Sequence, residues 1–118
     1  MAIIRIKMKR KTIRNYSSYT AETADLLGSL IKLGRKNRKW TEQELADRIG
    51  ISRGTIKKIE KGDLRCEVGL VFEAAAVTGV TLFEADRSRL TIDIDLVASK
   101  LALLPQSVRV KGKAKDDF

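Results

Sequence analysis

The stretch Glu42–Lys61, EQELADRIGISRGTIKKIEK, decides how this chain folds. Two short helices that cross steeply need three things: a small residue where their backbones meet, a glycine in the turn, and apolar residues at fixed positions behind each helix. Ala46 is the small residue. Gly50 can take a left-handed backbone without a Cβ penalty. Leu45, Ile49, Ile51, Ile56 and Ile59 supply the inward faces. Thr41 begins the first helix as an N-cap, with Glu44 three residues on to complete a capping box. Ser52 caps the second, which runs to Lys61 and stops at Gly62.

Working outward, Leu26, Leu27, Leu30, Ile31 and Leu33 fall at helical spacing and predict a helix over 21–38. Lys36, Arg38 and Lys39 load its end with cations, as its dipole favours. Trp40, just before the cap, reads as a hydrophobic staple rather than a stacking platform. After Gly62, a helix over 67–78 is nearly all small and apolar and suits burial. Leu82-Phe83 reads as a short helical turn. Residues 87–104 fit two patterns. Leu90, Ile92, Ile94 and Leu96 alternate like a strand, while Leu90, Ile94, Val97, Leu101 and Leu104 form a helical stripe. The length favours a helix, stopped before Pro105. Short strands are open at the two termini, around Ile4–Met8 and Val108–Val110.

With 118 residues the chain supports one small core. The absence of histidine removes the commonest general base and the commonest metal ligand. The lone Cys66 forms no intramolecular disulfide and has no histidine to activate it, so a packed or surface thiol is expected. Asp93 and Asp95 read as a solvated face, not a catalytic pair. With no glycine-rich phosphate loop and no metal-ligand cluster, no enzyme and no cofactor are expected. No apolar run is long enough for a membrane span, and Arg5 and Lys7 interrupt what would be a signal-peptide core. A cytoplasmic protein is expected.

The net charge of +9 is unevenly placed. Residues 1–62 carry 16 basic and six acidic side chains, whereas residues 63–104 carry four and seven. The first half therefore offers an electrostatic footprint for nucleic acid, although a basic surface also serves solubility alone.

The Glu42–Lys61 stretch resembles the helix-turn-helix of the Cro/cI-like (XRE) family. The flanks agree: a helix before it, Trp40-Thr41 leading in, Ile59-Glu60-Lys61-Gly62 leading out and a hydrophobic helix after it. The resemblance covers about residues 22–83. It implies an all-α protein: a five-helix Cro/cI-like DNA-binding domain over 21–84, preceded by a basic arm or short strand over 1–20. Residues 85–118 would form a dimerisation or partner-binding extension with an additional C-terminal helix.

By position, Arg53, Gly54, Thr55 and Lys58 would face base edges in the major groove. Arg53 suits guanine, and Thr55 offers a hydroxyl or a methyl group. Lys36, Arg38, Lys39, Gln43, Arg48, Ser52, Lys57 and Lys61 are the candidates for phosphate contacts, against the plainer reading of solvated charge. One position departs from the family, which often has Gln immediately after the N-cap. Here Glu42 stands there and Gln43 follows.

Beyond this core, the stripe of Leu90, Ile94, Val97, Leu101 and Leu104 would be half exposed on a monomer. Pairing it with a second copy gives a homodimer; folding it back on its own core is the alternative. The layout is also similar to HipB-like antitoxins, through Tyr19-Thr20, Val71–Ala76, Leu82–Asp86, Leu103-Leu104-Pro105 and Asp116-Asp117-Phe118. That likeness implies a repressor of its own operon that also binds a HipA-like kinase toxin. A free-standing phage-type regulator and a protein-interaction module that does not touch DNA are the rivals.

Overall fold

The computed structural model describes residues 15–83 and 86–108. Among these there are five helices and no strand: α1 (Ser18–Asn37), α2 (Glu42–Ile49), α3 (Arg53–Glu60), α4 (Val68–Val77) and α5 (Arg87–Ala102). The described residues fall into two units that part between Thr81 and Leu82.

In the first unit, α1 begins earlier than its apolar pattern suggests. Ser17 is the N-cap and its Oγ accepts from the Thr20 amide at 3.2 Å. The helix therefore takes in Ser18, Tyr19 and Thr20, residues that the sequence reading placed in the arm. Polar residues are tolerated in a first turn, where the cap and not the stripe sets the start. The helix ends at Asn37, and Lys39 (φ 62°) turns the chain toward Trp40.

The start of α2 has the expected reciprocal cap. The Glu44 amide donates to Thr41 Oγ1 at 3.0 Å, and the Thr41 amide donates to Glu44 Oε1 at 2.8 Å. Gly50 ends it with φ 84°, where a side chain would be strained, and its amide closes on the Ala46 carbonyl at 2.8 Å. Ser52 then opens α3, accepting from the Thr55 amide at 3.1 Å.

Ile31, Leu45, Ala46, Ile56, Ile59, Ala74 and Ala75 form the core, drawing on all four helices of this unit. Ile49, Ile51, Leu27 and Trp40 pack around it, half-buried. Two expectations narrow here. Leu26, Leu30 and Leu33 form an exposed row on α1 and not part of its buried face. Likewise α4 buries only Ala74 and Ala75, leaving Val68 and Phe72 open.

Two long-range contacts hold α3 against α1. A Cβ built on Gly28 would lie 2.6 Å from the Ile59 carbonyl oxygen and 2.7 Å from that of Glu60. Backbone cannot yield as a side-chain tip can, so Gly28→Ala should cost about 1–3 kcal/mol, read as a lower urea midpoint. The second contact is a buried ion pair. Arg35 Nε donates to Glu60 Oε2 at 2.7 Å and Nη2 to Oε1 at 2.9 Å, while Nη1 donates to the Trp40 carbonyl at 2.9 Å. This two-pronged hydrogen bond to Glu60 raises the Arg35 pKa further above its ordinary value, against the opposing effect of burial.

The second unit contains α5. Asp86 caps it, accepting from the Ser88 amide at 3.4 Å, and the helix ends two residues short of the predicted Leu104. None of its residues is buried. The ambiguity of its sequence has a geometric origin. A two-residue apolar alternation wound on a helix advances about 200° per step, so it marks two opposite faces. Leu90, Ile94, Val97 and Leu101 share one, and Ile92 and Leu96 lie on the other. Asp93 pairs with Arg89 at 3.3 Å, one turn away.

Among the described residues the helices number five: Leu82 and Phe83 are bends and not a helical turn, so α5 is the fifth helix described, and residues 84–85 lie outside the described residues. The strand suggested over Ile4–Met8 lies outside the described residues, as does most of that at Val108–Val110; Val108 itself is not in a strand.

Candidate nucleic-acid interface

The buried side of α3 (Ile56, Ile59, Glu60) faces the core, so the remaining edge of this short helix must face outward. Arg53, Gly54, Lys57, Lys58 and Lys61 are exposed and Thr55 is half-buried. Five of the eleven residues from Ser52 to Gly62 are therefore cationic or backbone-only and open to a partner.

Their surroundings differ. Thr55 Oγ1 lies 2.9 Å from Ser52 Oγ, so the two hydroxyls form a pair at the α3 N-terminus with one proton left to donate outward. Gly54 is not a packing requirement: a Cβ there would meet only Ser52 Oγ, at 3.8 Å. Lys58 and Thr55 share a shallow recess of about 380 Å³ with Asp63, Arg65 and Cys66. In it Arg65 grips Asp63 through both Nε and Nη2 at 3.2 Å, and its amide also donates to Asp63 at 2.9 Å. The Arg65 guanidinium, and after it the Arg65 amide, hold the Asp63 carboxyl below the usual carboxylate range. Burial pushes the Cys66 thiol up, which keeps it a protonated, unreactive thiol at neutral pH.

Glu42 stands beside α3. Its Oε1 is 3.8 Å from Arg53 Nε and 3.8 Å from Lys57 Nζ. Gln43 points elsewhere, its Nε2 donating to Asp47 Oδ1 at 2.8 Å on the surface of α2. Among the other cations, Lys36 and Lys39 are exposed at the end of α1. Arg38 has internal partners: Nη1 donates to the Thr78 carbonyl at 2.6 Å, helping to close the end of α4. Arg48 lies 4.1 Å from the Trp40 ring centroid, and Arg38 lies 5.8 Å from it. Trp40 is thus a half-buried staple against the core whose ring also carries a guanidinium.

Caps, glycine turn, crossed helices and an outward basic edge now stand together. Residues 31–84 match the helix-turn-helix family model. The match starts in the C-terminal half of α1 and contains α2, α3 and α4, and it supports the Cro/cI-like resemblance; α5 lies beyond it. No curated protein and no solved structure matches the chain.

Sequence reasoning missed Arg35 and Glu60, which set the position of α3, and Arg65. A signal for the first two was present. Arg35 continues the Ile31 stripe by one turn, Glu60 continues that of Ile56, and opposite charges on two buried stripes mark partners. Arg65 sits in a loop with no periodicity to flag it.

Proposed function

We propose that this chain is a sequence-specific DNA-binding transcriptional repressor in the cytoplasm, binding double-stranded operator DNA as a homodimer. The observation that carries the proposal is the outward edge of α3 within a matched helix-turn-helix. In this reading α3 enters the major groove and Arg53 meets a guanine through O6 and N7, with Thr55 and Lys58 beside it. Gly54 lets the backbone approach, since the fold itself does not need a glycine there. Lys57, Lys61, Lys36, Lys39 and the Ser52 hydroxyl take phosphates and set the register. Arg38, Arg48 and Gln43 can join them with the N–H groups that the contacts described above leave unused.

The dimer rests on α5. A 16-residue helix with no buried residue gains little from packing, and isolated helices of this length are marginal in water. Pairing through Leu90, Ile94, Val97, Leu101 and Leu104 would bury one of its faces and bring two copies of α3 onto one duplex. The finer reading is an antitoxin that holds a HipA-like kinase toxin, supported by the outer sequence likenesses alone. Co-purification from the native operon tests it: an antitoxin brings down a stoichiometric second protein, and a free-standing regulator does not.

A footprint on the DNA upstream of the chain's own gene tests the main proposal. Protection of a palindromic site is expected. Lys61→Ala should weaken binding to every duplex alike, by about three- to tenfold and with a shallower salt slope. No protection on any upstream sequence would remove the repressor reading.

A further inference from the structure

We infer that Glu42 is a positioning residue that trades affinity for selectivity: its carboxylate competes with DNA phosphate while bracing Arg53 for a guanine. This rests on the DNA-binding reading above and adds a role for the one residue that departs from the family pattern.

The geometry has three parts. First, one carboxylate oxygen lies equally close, 3.8 Å, to cations one turn apart on α3. Its side chain is 24% exposed, against 55% for Arg53 and 47% for Lys57, so the anion sits behind two cations that reach further out. Second, Glu42 meets Arg53 at Nε, on the side of the guanidinium fork. The end of the fork, Nη1 and Nη2, stays free, and a two-pronged contact to guanine O6 and N7 can use that end. Third, Gln43, the neighbour that could take over a phosphate contact, has one of its two amide hydrogens committed to Asp47, on the surface of α2.

Two opposite consequences follow. A fixed negative charge beside Arg53 and Lys57 opposes any phosphate, whatever the sequence, and so weakens all duplexes. Bracing Arg53 matters only where a guanine lies beneath it, because an arginine held in place loses less freedom on making that contact. Glutamine has the same shape without the charge, and aspartate keeps the charge but draws it back.

The test compares wild type, Glu42→Gln and Glu42→Asp on three duplexes: one of random sequence, one bearing the selected site, and one bearing that site with the guanine assigned to Arg53 replaced. Glu42→Gln should bind the random duplex roughly three- to tenfold tighter, as expected for releasing two exposed ion pairs. Its salt slope should steepen by about 0.9, one more phosphate neutralised. Its preference for the guanine should fall by about threefold or more. Glu42→Asp should lose the preference without gaining the affinity. In an Arg53→Ala background, Glu42→Gln should leave the preference unchanged. A preference equal to wild type in Glu42→Gln overturns the bracing role, and no gain on the random duplex overturns the competition. If wild type itself binds no duplex, the DNA-binding reading falls first. Thermal melts of the variants separate binding changes from misfolding.

Discussion

Glu60→Ala should destabilise the helical unit of α1–α4 by about 3–5 kcal/mol, the usual cost of removing one member of a buried ion pair. Glu60 and Arg35 have side chains only 3% and 8% exposed, and they meet through two hydrogen bonds. Removing the carboxylate leaves the Arg35 guanidinium buried with one remaining acceptor, the Trp40 carbonyl. Desolvation of that charge, not the lost contact itself, dominates the cost. Small domains have about 5–15 kcal/mol in total, so the variant should be partly unfolded at 37 °C. Urea denaturation followed by the fluorescence of Trp40, the only tryptophan, reads this directly. The paired replacement Arg35→Met with Glu60→Leu should recover most of the loss, since neither charge is then stranded. A loss below about 1 kcal/mol in Glu60→Ala would show that the pair is solvated and does not position α3.

The second large effect is on binding. Lys36, Lys39, Lys57 and Lys61, doubled in a dimer, amount to more than six cationic phosphate contacts. Affinity for duplex DNA should then fall by about 10³- to 10⁵-fold between 50 and 200 mM salt, because each neutralised phosphate releases counterions. The measurement is a salt series of fluorescence-anisotropy titrations. A fall of less than tenfold would favour the rival reading, a helix-turn-helix used as a protein-interaction module. Glu42, which already occupies two α3 cations, gives that rival its specific support.

The parts of this structure visible in the sequence are those whose causes are local. Thr41 and Glu44 make a reciprocal cap within four residues, Gly50 needs its own backbone angle, and Ser52 caps over three residues, so α2 and α3 could be read residue by residue. Distant partners were not readable in this way. Arg35 and Glu60 are 25 positions apart, and Arg38 reaches the Thr78 carbonyl across 40, a link between the ends of α1 and α4 that no local pattern marks. The start of α1 was hidden because Ser17 acts through a cap in a region without apolar periodicity. In α5 the pattern itself was double, one helix carrying two apolar faces. For the candidate interface, the cations on α3 were legible as a row. That Glu42 sits between two of them depends on how α2 crosses α3, and only coordinates show it.

The central claim is that α3 presents Arg53 to a base edge. Selection of binding sites from a pool of random duplexes, run in parallel with wild type and Arg53→Ala, tests it most directly. The account predicts that wild type enriches a two-fold symmetric site with half-sites about 10 base pairs apart. Arg53→Ala should keep the same site but lose its preference for guanine at one position in each half, with binding weakened by about 1–3 kcal/mol. An enriched site that is identical for both proteins, or no enrichment by wild type, would contradict it.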